Sequence, residues 1–130
     1  MLETARENIY RIRDGKCPVA KIVMWGGGGV GTTTLLYRMA YDLFHSETPM
    51  TRGVQFWIIP AMYKNWRVIL QILDLAGEEQ WREFQVDLIK GTCCAVLAYD
   101  ISRASTLEDL VFTFAYSGKN IRMSHCWLLG

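Results

Sequence analysis

Apolar and polar positions along this 130-residue chain change period several times, and each change marks an element. Ala20 to Trp25 is a nearly unbroken apolar run, the pattern of a buried strand. Gly26 to Gly31 then interrupts it with glycine at every position but Val30. Beyond the glycines Leu35, Leu36, Met39, Ala40, Leu43 and Phe44 recur three and four residues apart, predicting a helix that ends near His45. Ser46 to Gly53 has loop composition. Val54 to Pro60 and Arg67 to Leu73 are rich in aliphatic, aromatic and β-branched residues, and Ala61 to Trp66 connects them as an antiparallel hairpin. Asp74 to Gly77 breaks the pattern. Glu78 to Lys90 returns to helical spacing through Trp81, Phe84, Leu88 and Ile89. Ala95 to Tyr99 predicts a further strand ending at Asp100. Ser105 or Thr106 is placed to cap a helix with Glu108 and Asp109 in its first turn, stopping near Gly118. Cys126 to Leu129 is a last apolar run. Ahead of all this, Leu2, Ala5, Ile9 and Ile12 fall at helical spacing and Pro18 ends the segment. Residues 1–19 therefore form an extension, a short helix covering core edge or a partner-binding helix, and 20–130 form one domain.

Strands alternating with helices predict an α/β fold, a mostly parallel sheet covered on both faces. Composition agrees: 51% hydrophobic and 21% charged residues suit a globular domain with one substantial core. The formal net charge of +1 leaves no basic field for nucleic acid or for coating a membrane. No apolar segment is long enough to span a bilayer, and the charged start (Glu3, Arg6, Glu7) is unlike a leader peptide. Met1-Leu2 does not fit the myristoylation pattern and the end carries no prenylation cysteine, so no lipid anchor is visible and a cytoplasmic location is expected. Cys17, Cys93, Cys94 and Cys126 fit no zinc spacing and are expected as reduced thiols.

The chemistry is concentrated in the glycine stretch. Gly26-x-x-x-x-Gly31-x-Thr33 follows a strand and opens a helix, the arrangement of a phosphate-binding loop. Glycines let the backbone wrap a phosphate closely, successive N–H groups point inward, and the helix adds the positive end of its dipole. Thr33 offers the hydroxyl that would ligate Mg²⁺ beside the terminal phosphates. Thr32 occupies the position where this loop ordinarily carries lysine; its hydroxyl cannot neutralise phosphate charge. The same glycines (Gly26, Gly28, Gly31) also satisfy a dinucleotide-binding pattern, which requires an acidic residue ending the second strand. Val54 to Pro60 supplies none. A second site favours the triphosphate. Asp74 ends a strand, where open α/β sheets bind ligands. From there a carboxylate can hold Mg²⁺ through water, and the Gly77 N–H can meet a γ-phosphate. Asp74-Leu75-Ala76-Gly77-Glu78-Glu79 in one chain with the glycine loop is far more specific than either alone.

On these motifs the chain resembles the Ras/Rab/Rho superfamily of small GTPases from about Lys21 to Asp109. Thr51-Arg52-Gly53-Val54-Gln55-Phe56 is similar to the family's first switch, whose threonine senses Mg²⁺ and the γ-phosphate. Asp74 through Trp81 is similar to the second switch. Lys90-Gly91, Tyr99-Asp100-Ile101-Ser102 and Ser105 through Leu110 are similar to the fourth strand and third helix. The resemblance implies a Ras-like P-loop NTPase fold, here incomplete, with about five strands, one of them an antiparallel edge, and helices on both faces. It implies GTP/GDP and Mg²⁺ as cofactors. Gly26, Gly27, Gly28, Gly29, Val30, Gly31, Thr32, Thr33 and Thr34 would hold the nucleotide together with Thr51, Asp74 and Gly77. Thr33, Thr51 and Asp74 would hold the metal, and Gly77 and Glu78 would occupy the catalytic positions.

Three departures qualify the activity expected. Thr32 replaces the phosphate-gripping lysine. Glu78 stands where the family carries the glutamine that orients the attacking water, and its charge beside a phosphate should slow hydrolysis. Cys126 to Gly130 is similar to the fifth strand, and the chain stops before the family's guanine-reading Asn-Lys-x-Asp segment. The expectation is a truncated small-GTPase domain whose switch is impaired. The alternative is a non-hydrolysing pseudo-GTPase or fragment acting through protein contacts on its switch surface (Thr51 to Phe56, Glu78 to Phe84). Phe56 suits a Rab-like effector surface, whereas Leu73 replaces the tryptophan expected there. The shortened sheet cover also predicts an oligomer or a stabilising partner.

Overall fold

A computed structural model describes residues 18–44, 47, 49–64, 66–118 and 125–129. The expected segment ahead of Pro18, and His45 at the expected helix end, lie outside the described residues. The elements run β1 (Val19–Gly26), α1 (Thr32–Tyr41), β2 (Val54–Tyr63), β3 (Trp66–Leu75), a 3₁₀ turn (Glu79–Trp81), α2 (Arg82–Leu88), β4 (Cys94–Ala98), α3 (Ala104–Gly118) and β5 (His125–Leu129). The five strands lie in the order β2-β3-β1-β4-β5. All neighbours are parallel except β2, which pairs antiparallel with β3 at the edge, as expected.

Each face of the sheet has its own core. The apolar stripe of α1 closes one face, where Leu36 is fully buried against Met24, Trp57, Ile59 and Ile72. The other holds Val23, Trp25, Leu73, Leu75, Leu97, Ile89 at the end of α2 and Leu110 of α3. Burying a side chain such as Leu36 contributes about 1.5–3 kcal/mol. Lys21 ties β1 to the end of α2: its ammonium donates to the Leu88 and Lys90 carbonyls at 2.5 and 2.7 Å, groups the helix itself leaves unpaired. Register then places the chemistry. Met24 of β1 faces Asp74 of β3 and Trp25 faces Leu75, so β3 delivers Asp74 beside the mouth of the glycine loop.

Four local expectations change. Helix α1 ends at Tyr41, not near His45, because Asp42 turns left-handed at φ 55° with its N–H on the Arg38 carbonyl. Leu43 and Phe44 are exposed. The hairpin strands run on to the Tyr63–Trp66 pair, with Lys64 at φ 52° in the turn, so Ala61 to Tyr63 are strand and not connection. In α2 the residues turned inward are Gln85 and Leu88, with Ile89 just beyond; Phe84 is exposed. Helix α3 starts at Ala104, ahead of Ser105 and Thr106, so Glu108 and Asp109 lie past its first turn. Thr106 is buried inside that turn, its hydroxyl donating to the Arg103 carbonyl at 2.7 Å and accepting from the Asp100 N–H at 2.9 Å.

Candidate functional site

The glycine loop joins β1 to α1 by conformations that glycine alone adopts cheaply. Gly29 and Gly31 have φ of 74° and 94°. A Cβ on Gly26 would meet the Val30 side chain at 2.3 Å, so the turn closes only on a bare backbone. Gly77 is held as tightly from the other side: a Cβ there would lie 2.4 Å from the Gly26 carbonyl oxygen and 3.0 Å from the Gly27 Cα. The chain after β3 thus lies directly against the loop.

Together these segments wall a cavity of about 440 Å³, lined by residues 26–34, by Glu47, Pro49, Met50 and Thr51, and by Leu75, Ala76 and Gly77. No lysine or arginine is among its described lining residues; Glu47 is the one charged side chain among them. At its floor three oxygens converge. The Thr33 hydroxyl donates to Asp74 Oδ2 at 2.5 Å and lies 2.6 Å from the Thr51 hydroxyl, which is itself 3.3 Å from Asp74 Oδ2. Asp74 is fully buried, and its Oδ1 has no hydrogen-bond partner among the described residues. Burial pushes this carboxyl above its ordinary range, and the hydroxyls of Thr33, Thr32 and Thr51 offset that only in part. A buried, half-partnered carboxylate beside two hydroxyls is a hard oxygen donor set, and it fits Mg²⁺.

The residues expected from the glycine loop, Thr51, Asp74 and Gly77 are therefore brought to one place. Glu78 is not among the cavity's lining residues; its carboxylate accepts from Gln80 Nε2. Cys93 and Cys94 are half-buried and form no disulfide among the described residues, and burial pushes the Cys93 thiol up. The described residues contain no metal-binding cluster of His, Cys, Asp and Glu, and no helix among them is long and apolar enough to cross a membrane.

Two supporting residues went unnoticed in the sequence. Arg103, at the start of α3, donates through Nε to Asp100 at 2.9 Å and through a terminal nitrogen to the Gly28 carbonyl at 3.3 Å, bracing the loop from outside. Asp100 also accepts from the Ser102 N–H and hydroxyl; these bonds, then Arg103, lower its carboxyl to about 2. A depressed carboxylate stabilises the fold above its unfolded pKa and loses that contribution as pH falls through the folded value. The Asp100 carboxyl carbon should accordingly titrate near 2 by NMR. Asp100→Asn should abolish that transition and weaken the hold on Gly28, visible as faster amide exchange in residues 28–30. The second residue is Gln85, buried beneath the cavity with both amide protons on backbone carbonyls. A polar residue on the apolar stripe Trp81-Gln85-Leu88 was its only signal.

Comparison with known proteins places this geometry in context. The family model described as Ras family matches residues 21–122. The chain is 34% identical over 101 residues to Ras-related protein RABA1b of Arabidopsis thaliana, covering 78% of this chain and 47% of that protein. It is 35% identical over 101 residues to Ras-related protein RIC2 of Oryza sativa subsp. japonica, covering 78% and 46%. It is 30% identical over 93 residues to the Ypt/Rab-type GTPase YPT7 of Saccharomyces cerevisiae, covering 71% and 45%. The chain spans about half the length of the curated relatives it matches.

Proposed function

The chain belongs to the Ras family of small GTPases, and on that premise we propose that it binds GTP and GDP with Mg²⁺ at the glycine loop as a slow molecular switch. The observation that carries this reading is the convergence of Thr33, Thr51 and Asp74 below residues 26–34, with the buried Asp74 Oδ1 lacking a partner among the described residues. Mg²⁺, when bound, supplies charge neutralisation between the terminal phosphate oxygens and orients them. The chain's own groups do the rest. Backbone N–H groups of the glycine loop and the α1 N-terminus would meet the phosphates. The Thr33 and Thr51 hydroxyls and the Asp74 carboxylate would hold the metal, and the Gly77 N–H would meet the γ-phosphate.

Thr32 and Glu78 support slow turnover and loose binding. Thr32 contributes a neutral hydroxyl where a cation would neutralise phosphate. Glu78 holds the sequence position from which the family guides the attacking water, and a carboxylate turned there from its present contact with Gln80 would repel the phosphate. Glu78→Gln should therefore raise the single-turnover rate of γ-phosphate release at least about tenfold, with nucleotide affinity nearly unchanged. A rate unchanged by that substitution would remove Glu78 from the account. The exposed row Phe56, Ile58 and Met62 on the edge strand β2 suits effector or regulator proteins. The absence of any cation among the cavity's described lining residues favours a second reading, a pseudo-GTPase that engages such partners without hydrolysis. Denaturing the purified chain and chromatographing what it releases distinguishes them. Stoichiometric GDP supports the switch, and intact GTP that survives incubation with Mg²⁺ supports the pseudo-GTPase.

A further inference from the structure

Gln85, 1% exposed, lies beneath the two segments that frame the cavity without lining it. Its Nε2 donates to the Gly53 carbonyl at 3.1 Å and to the Ala76 carbonyl at 3.0 Å. Its Oε1 faces the Trp25 indole N–H at 3.5 Å. The Gly53 carbonyl also accepts from the Ala76 N–H at 3.0 Å. Gly53 closes the segment that carries Thr51, and Ala76 opens the segment that carries Gly77. One amide therefore clamps both to each other, to α2 and, more loosely, to β1. The Trp81 ring lies over Gly53, where an added Cβ would stand 3.6 Å from it, and it shields this junction.

The clamp has a directional consequence. The Ala76–Gly77 peptide is trans, as are all the described peptide bonds, so its C=O and N–H point to opposite sides. Gln85 draws the Ala76 carbonyl away from the cavity, toward α2. The Gly77 N–H must then point the other way, to the side on which Gly77 lines the cavity against Gly26 and Gly27. We infer that Gln85 is a positioning residue that aims the Gly77 N–H at the terminal phosphate, and so sets how strongly the site prefers a nucleoside triphosphate over a diphosphate. The inference rests on the guanine-nucleotide reading above. A diphosphate does not reach Gly77, so the clamp acts on the triphosphate alone.

Gln85→Met keeps the length and most of the volume of the side chain and removes both donors. With Mg²⁺ present, affinities of wild type and variant for GDP and for a non-hydrolysable GTP analogue should be measured by calorimetry. The expected result is a loss of about tenfold or more for the analogue with GDP changed less than about threefold. A merely structural role would weaken both equally, and that outcome, or no change in either, overturns the inference while leaving the nucleotide reading intact. A wild type that binds neither nucleotide overturns both. Should the variant fail to fold, wild-type NMR decides. The Gln85 side-chain amide protons should be protected from exchange, and the Gly77 amide resonance should move with the analogue and stay in place with GDP. Unprotected Gln85 protons, or a Gly77 resonance that responds alike to both nucleotides, contradicts the proposal.

Discussion

Thr32→Lys should raise affinity for GDP and GTP by roughly 30- to 150-fold, the equivalent of one charge-assisted phosphate contact of about 2–3 kcal/mol. Thr32 is the first residue of α1, directly after Gly31, and its side chain reaches back over Gly26. It lines the cavity, among whose described lining residues is no lysine or arginine. A lysine there has open volume ahead of it and places its ammonium among the phosphate oxygens as a point charge. The exchange costs little: a hydroxyl contact that helps lower the Asp74 carboxyl is lost, and lysine favours helix over threonine. Titration calorimetry of both chains against GDP checks this. Equal affinities would mean that the loop does not cradle phosphate.

Asp74→Asn should reduce Mg²⁺-dependent binding of GTP by about two orders of magnitude without lowering the melting temperature of the nucleotide-free chain. The two effects have one origin. Asp74 is fully buried, its Oδ1 lacks a partner among the described residues, and burial already raises its carboxyl. A charge in such a site destabilises the empty fold unless a cation offsets it. The neutral amide removes that burden and with it the ligand that draws Mg²⁺ toward Thr33 and Thr51. Loss of a hard anionic donor from so small a donor set accounts for the size of the effect. A variant that bound GTP with undiminished Mg²⁺ dependence would place the metal elsewhere. One that melted far below wild type would make Asp74 a structural residue first. Differential scanning fluorimetry with and without Mg²⁺ reads both arms.

Much of this site could be read from residue order, for physical reasons. The passage from β1 through the glycines into α1 changes hydrophobic period so abruptly that no other element assignment fits. Asp74 ends a run of β-forming residues, which is where a parallel sheet presents ligand groups. The expected antiparallel pairing of β2 with β3 followed from the short span between Pro60 and Arg67. Other features depend on tertiary geometry. Leu43 and Phe44 continue the apolar spacing of α1, yet the left-handed turn at Asp42 ends the helix before them. Phe84 fits the stripe of α2 as well as Gln85 does; the chain beyond the β2–β3 strand ends decides that Gln85 turns inward, where the Ala76 carbonyl takes one of its amide protons and the Gly53 carbonyl the other. Arg103 lies far along the chain from the glycine loop, and the β1–β4 pairing alone brings them together.

The central proposal is that residues 26–34, Thr51, Asp74 and Gly77 form a single site for guanine nucleotide with Mg²⁺. Titration calorimetry of the purified, nucleotide-stripped chain with GTP, in Mg²⁺ and again in excess chelator, addresses that claim directly. The expected result is one site per chain, weakened at least about tenfold when the metal is withdrawn. Absence of binding in Mg²⁺, or binding indifferent to the chelator, would contradict it.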